Sequence, residues 1–299
     1  MKISVMICKV IGLGLLGLLP ISVPAQSLKV ILLGTGNPEP LMERFSAGIL
    51  VEAGARKLLF DGGRGGMIRL AQMKIRAADV NPLFLTHLHS DHVVGIPDLL
   101  LTGWLRGREN PLQVFGPEGT TEMMRHLEQA YQADIRFRSS PTRSTRGVTV
   151  LARDIKEGVV YEEGGVKVTA FHVRHTREAA FGYRVDYAGR SVVLSGDTDP
   201  TDNLVRFAEG VDLLIHEVSL PGTGPGQGGA GHTTPEDAGK IFTRVKPRLA
   251  VYSHIIPSDA PAEDFIVGTR KTYNGPLEVG EDLMSIEVGN EIRVSRFPQ

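Results

Sequence analysis

The sequence predicts an α/β fold in which two β-sheets are covered by helices, and three observations predict it. Strand-like segments come in pairs early in the chain, and strands alternate with helical segments later. Polar residues able to carry chemistry stand where the apolar strands end. No repeat of solenoid length and no linker-like stretch interrupts this pattern, so residues 26–299 read as one domain.

The elements follow in order. Residues 28–33 form an apolar strand, and Gly34-Thr-Gly-Asn-Pro38 a tight loop. Residues 47–52 and 57–60 form a hairpin around Ala53-Gly54 that runs into Asp61-Gly-Gly63, and a helix follows to about Lys74. A buried strand at 82–86 precedes a helix at 97–106, a strand at 112–115 and an amphipathic helix at 118–133. Residues 136–153 read as an irregular, solvated basic connection. Their five arginines are offset by Asp134 and Asp154, and only Phe137 offers a ring for stacking, which argues against a nucleic-acid footprint. Hairpins return at 159–175 and 181–195. Buried strands at 211–215 and 249–252 each come after a helix. One of those helices is well signalled, with Thr234 as N-cap, Pro235 in the first helical position and Asp237 as capping acid.

With 41% hydrophobic and 22% charged residues, the 299-residue chain has the composition of an ordinary globular protein, and its net charge of −1 gives no electrostatic case for nucleic acid. Lys2, an apolar run at 10–19 and Val23-Pro-Ala25 have the layout of a secretory signal peptide cut after Ala25. The expected mature chain is therefore exported, periplasmic or secreted, with no membrane span. The single cysteine, Cys8, lies inside that leader, so every metal ligand of the mature chain must be His, Asp or Glu.

The densest chemistry is Thr86-His-Leu-His-Ser-Asp-His92. On an extended segment, side chains two apart leave the same side, so His87 and His89 can grip one ion together. A turn at Ser90 then presents Asp91 and His92 to a second ion. Imidazoles and carboxylates without thiolate suit Zn²⁺, with Mn²⁺ or Fe²⁺ as weaker options. Two ions need further ligands, and His175, Asp197 and His254 each stand where a buried strand meets a loop. The glycine before Asp197 lets the backbone turn closely there. His172 and His216 sit in strand-like segments as core or supporting groups, and His126 lies on a helix surface.

This order (H-x-H-x-D-H, a lone His, Gly-Asp after a strand, a late His) resembles the metallo-β-lactamase fold superfamily. Gly34-Thr-Gly36, Asp61-Gly-Gly63, Phe181-Gly-Tyr-Arg184, Ser195-Gly-Asp-Thr198, His216-Glu217 and Gly231-His-Thr233 resemble its ribonuclease Z-like branch, which also contains exported arylsulfatases. The resemblance implies an αββα sandwich, two mixed β-sheets packed face to face with helices outside. It implies one zinc on His87, His89 and His175, another on Asp91, His92 and His254, and Asp197 bridging both. Asp91 would also orient the nucleophilic hydroxide, while His232 would protonate the leaving group with Glu217 holding that histidine charged. His232 ends a glycine-rich run at 222–231 that reads as a lid. Arg64 and Arg184 are candidates for binding an anionic substrate.

Two zincs stabilise sulfate-ester and phosphodiester hydrolysis alike, so metal chemistry does not choose the substrate. Three departures from tRNA-processing members favour an exported arylsulfatase-like or phosphodiesterase-like enzyme acting on a small anionic ester, with nucleic acid disfavoured. These are the leader, Arg64 in place of an acidic turn residue, and the short 182–195 connection where those enzymes carry a protruding arm. A ribonuclease Z-type tRNA 3′-processing endonuclease is the alternative, followed by a lactonase, a β-lactamase or a non-catalytic metal-binding module. A homodimer is kept open as the assembly.

Overall fold

The structure, a computed structural model, describes residues 28–175, 179–223 and 231–298. The leader at 1–25 with Cys8, and the lid reading for 224–230, lie outside them. Among the described residues no helix is long and apolar enough to cross a membrane.

The N-terminal half begins with β1 (Leu28–Gly34), β2 (Gly48–Ala53) and β3 (Arg56–Phe60), an antiparallel meander. Three parallel strands follow: β4 (Leu83–Phe84), β5 (Leu112–Gly116) and β6 (Val150–Asp154). Parallel neighbours require crossovers. These carry α1 (Gly66–Gln72), α2 (Ser90–Val93), α3 (Ile96–Leu105), α4 (Thr120–Ala130) and α5 (Gln132–Arg138).

The second half repeats the plan. Antiparallel β7 (Gly158–Glu163), β8 (Val166–Val173), β9 (Ala180–Tyr187) and β10 (Arg190–Leu194) lead into parallel β11 (Leu213–Ser219), β12 (Leu249–Ile256) and β13 (Leu277–Val279). Between them run α6 (Asp202–Phe207), α7 (Pro235–Val245) and α8 (Ala262–Arg270). β14 (Ser285–Val288) and β15 (Ile292–Ser295) then return to the first sheet, where Val288 pairs with Leu28. The two mixed sheets are ordered β15-β14-β1-β2-β3-β4-β5-β6 and β13-β12-β11-β10-β9-β8-β7.

Strand alternation divides the core into three layers. Leu28, Val30 and Leu32 of β1 face the opposing sheet, whereas Ile31 and Leu33 face the helices. On β10, Val192 and Leu194 point inward and Val193 outward. Leu70, Leu99, Trp104 and Met124 from α1, α3 and α4 cover the first sheet, and Leu204, Phe242 and Phe265 from α6, α7 and α8 cover the second. Strands buried on both faces read as continuous apolar runs, the pattern that residues 28–33 carry. Phe60, Phe84 and Phe115 stack across adjacent strands at the centre, with centroids 4.9 and 5.2 Å apart.

Several expectations change. The helix expected at 118–133 breaks at Tyr131 into α4 and α5. The stretch 136–153 is not irregular throughout, because it contains the end of α5, a 3₁₀ turn at Thr145–Val148 and most of edge strand β6. β11 extends through His216 and Glu217, and β12 runs on past His254. The α7 start forms as expected, with the Thr234 hydroxyl accepting the Asp237 amide at 3.2 Å.

Candidate metal centre

The His motif leaves β4 in extended form and turns into α2 at Ser90, with His89 in the N-cap position. That turn is held from beneath. The Gly62 amide donates to the His92 carbonyl at 2.7 Å, and the Gly95 amide to the Gly62 carbonyl at 2.8 Å. At Gly63 a Cβ would stand 2.4 Å from the Asp91 carbonyl oxygen and 2.5 Å from that of Ala47, so only glycine lets the two backbones meet. Gly196, at φ 61°, makes the corresponding turn before Asp197.

His254 reaches the same point through a β-bulge. Between the pairs His216↔Tyr252 and Val218↔Ile255, β12 has one residue more than β11, and His254 takes φ 46°. A bulge re-aims a side chain, and a left-handed backbone on a non-glycine residue is strain held by its surroundings.

These elements converge on one carboxylate. Asp197 Oδ2 lies 3.2 Å from His254 Nε2, 3.5 Å from His92 Nε2, 3.8 Å from His175 Nε2 and 3.9 Å from His87 Nε2. Asp91 Oδ2 lies 3.2 Å from His254 Nε2 and 3.4 Å from His92 Nε2. His89 Nδ1 and His175 Nε2 stand 3.2 Å apart. Ligands about 2.0–2.1 Å from one tetrahedral zinc lie roughly 3.3 Å from each other, so the spacing fits a shared ion. His87 Nε2 and His92 Nε2 are buried without a hydrogen-bond partner among the described residues, as donors reserved for a cation are. His87, His89 and His175 form one group that could hold a metal, and Asp91, His92 and His254 another; Asp197 forms a third with His87 and His92.

The electrostatics agree for three of the histidines. Burial, then neighbouring imidazoles, hold His87 well below the usual histidine range, and burial also lowers His89 and His175, leaving neutral rings ready to ligate. Burial opposes charge on Asp197, yet His254 and His92 outweigh it and hold this carboxyl well below the carboxylate range. Burial likewise opposes charge on His92, which Asp197 and Asp61 raise in spite of it.

Asp61 is the residue that sequence reasoning missed. Its backbone sits at φ 61°, Oδ2 accepts from His92 Nδ1 at 2.8 Å, and Oδ1 accepts the Thr86 amide at 2.8 Å. It therefore fixes the His92 tautomer so that Nε2 faces the cluster, as Gly231 does for His175 through a 2.6 Å bond from Nδ1 to its carbonyl. The available signal was an Asp at a strand end followed by two glycines.

His232 rings the same space, its centroid 4.9 Å from that of His175. Its Nδ1 lies 3.3 Å from Glu217 Oε2, out of line for a hydrogen bond, while Glu217 Oε1 accepts the Thr233 and Thr198 amides at 2.8 and 3.2 Å. Burial, then the charge of Asp197, push Glu217 well above the usual carboxylate range. Beside it, burial lowers His216 to about 4, with its Nδ1 donating to the Glu217 carbonyl.

Arg64 is exposed and contacts the Pro38 carbonyl and the Ser46 hydroxyl at 3.3 and 3.4 Å. Arg184 does not belong to the site. Opposite Val193 on the helix-facing side of the second sheet, it binds Asp186 and donates 2.9 Å bonds to the carbonyls of Phe207, which ends α6, and Glu209 just beyond it. His172 is exposed, stacked on Phe181, rather than a core group, and His126 is exposed as expected.

Fold and cluster together define a two-sheet scaffold with a histidine- and aspartate-lined centre able to hold metal. The chain belongs to the metallo-β-lactamase superfamily: the beta-lactamase superfamily domain model matches residues 56–255. It is 34% identical over 274 residues to ribonuclease Z of Mycobacterium sp. (strain KMS), a match covering 87% of this chain and 96% of the relative. Among solved structures, the metallo-beta-lactamase fold protein YhfI from Bacillus subtilis superposes with a TM-score of 0.72 at 20% identity, covering 88% of this chain and all of that one. Human tRNase Z, short form, gives 0.64 at 24% identity, covering 86% of this chain and 98% of that one.

The ribonuclease Z match overturns the preference for an arylsulfatase-like enzyme of small esters and the disfavouring of nucleic acid. The leader lies outside the described residues. Arg64 sits outside the cluster and alters none of its ligands. The β9–β10 connection is indeed a tight turn at Ala188-Gly189.

Proposed function

We propose that the chain is a metal-dependent phosphodiester hydrolase of the ribonuclease Z type, cutting RNA. His87, His89 and His175 would hold one Zn²⁺, Asp91, His92 and His254 a second, and Asp197 would bridge them. When bound, the metals supply positive charge for the phosphoryl transition state and acidify water. What carries the reading is the convergence of four histidines on Asp197 in a chain 34% identical to a ribonuclease Z over 274 residues.

The protein's own groups divide the remaining work. Asp91, anionic between His92 and His254, accepts a hydrogen bond from the attacking water and aims it. His232 turns Nδ1 toward Glu217, which leaves Nε2 to protonate the departing alkoxide, a poor leaving group without that proton. Glu217 is a positioning residue for this ring, itself held by two backbone amides.

Purified chain assayed side by side on a precursor tRNA, an aryl phosphodiester, a lactone and a β-lactam tests the reading. Trimming of the precursor and turnover of the phosphodiester are expected. A metal-loaded protein that leaves both intact contradicts it.

A further inference from the structure

The basic stretch after α4 reads from sequence as a solvated connection whose acids offset its arginines, and the structure engages those acids with groups other than Arg136, Arg143 and Arg146. Asp154 turns to the start of α4, where it accepts the Thr121 and Gly119 amides at 2.8 and 3.2 Å. Asp134 is taken by Arg138 at 2.7 Å, and Glu128 by the Val150 amide at 2.8 Å. Arg136, Arg143 and Arg146 are exposed and have no carboxylate partner among the described residues. Between Arg136 and Arg138 stands Phe137, 86% exposed. The helix dipole accounts for two arginines in the last turn of α5, but not for an exposed ring beside them or for Arg143 and Arg146.

We propose that Phe137 with Arg136, Arg143 and Arg146 forms a second contact surface for structured RNA, an unpaired base stacking on the ring while phosphates meet the guanidinium groups. This rests on the ribonuclease reading and deepens it. Stacking is tolerant of sequence and phosphate pairing is blind to it, so the surface recognises RNA as a class. The chain leaves the neighbourhood of the centre along α4. The start of that helix lies beside Leu88, since a Cβ on Gly119 would touch the Leu88 side chain at 3.2 Å. Its 11 residues then carry the chain ~16 Å away before α5 begins. A contact outside the metal cluster adds affinity for a large substrate through effective concentration and leaves the chemistry of a small one untouched. It also supplies, from another part of the fold, a hold on the RNA body that the short β9–β10 turn cannot provide.

The test is a triple variant, Phe137→Ala with Arg143→Ala and Arg146→Ala, beside a control that loses charge elsewhere, Arg244→Ala with Arg293→Ala. Full-length proteins are titrated with labelled precursor tRNA at several salt concentrations and assayed on bis(p-nitrophenyl) phosphate. The triple variant should bind the RNA roughly tenfold or more weakly. Its salt slope should fall by about one per lost phosphate contact. Small-ester turnover should stay at the wild-type value, and the control should match wild type throughout. Unchanged affinity and salt slope, with the precursor still cut, overturn the surface and leave the ribonuclease reading intact. RNA bound through the surface but never cut overturns the ribonuclease reading alone, and wild-type protein that binds no RNA overturns both.

Discussion

Asp61 and His92 are joined by a 2.8 Å hydrogen bond that ties the end of β3 to the first turn after β4. Because Asp61 holds Nδ1, His92 has only Nε2 to offer, and that atom lies 3.5 Å from Asp197. Asp61→Asn should therefore lower metal affinity by about 10- to 100-fold. Zinc titration with a competing chelator measures this, and excess zinc should restore much of the lost activity. Unchanged affinity would mean that the pair is only a structural link.

His232→Ala should slow cleavage of an RNA phosphodiester by roughly 10²- to 10⁴-fold. Metal content should be unchanged, because His87, His89 and His175, and Asp91, His92 and His254, form groups that could hold metal without it. Hydrolysis of a p-nitrophenyl diester, whose leaving group needs no proton, should slow far less. Equal losses on both substrates would remove the general-acid assignment.

Arg184→Ala should leave kcat/KM on RNA unchanged, since the side chain binds the carbonyls of Phe207 and Glu209 away from the centre. It should cost about 1–3 kcal/mol of stability in urea unfolding. A specific loss of activity at full stability would return Arg184 to the site.

His216 sets a pH dependence. Burial depresses its folded value to about 4, below the ordinary histidine value of 6.5, so the unfolded chain takes up this proton first. Its contribution is intact above pH 6.5 and is lost as pH falls toward 4, about 3 kcal/mol over the full interval. His216→Gln should remove that part of the acid loss, visible as a shrinking wild-type minus variant difference between pH 7.5 and pH 4.5. A difference independent of pH would show that His216 does not titrate in this window.

The metal cluster was legible where its geometry is local. His87 to His92 sit in one turn, and Asp197 follows an apolar strand and a glycine, so spacing alone brings them forward. Asp61 was not, because its role depends on β3 and β4 lying side by side and α2 folding over both. His254 was placed at a strand end, but the bulge that aims it exists only against β11. Arg184 was misread although alternation held the answer: Tyr183 and Val185 face the core, so Arg184 must face the other way. β14 and β15 went unread since β14 pairs with β1, at the start of the domain, and β15 with β14. Substrate choice was the largest error, because two metal-binding groups look the same whichever anionic ester they serve.

We propose that Asp197 joins two metal sites that together cut RNA. Metal content and precursor-tRNA cleavage, measured on the same preparations of wild type and Asp197→Ala, test it most directly. Wild type should hold about two metal ions per chain and trim the RNA, and the variant should hold fewer and leave the RNA intact. A variant that keeps both ions and still trims the precursor would contradict it.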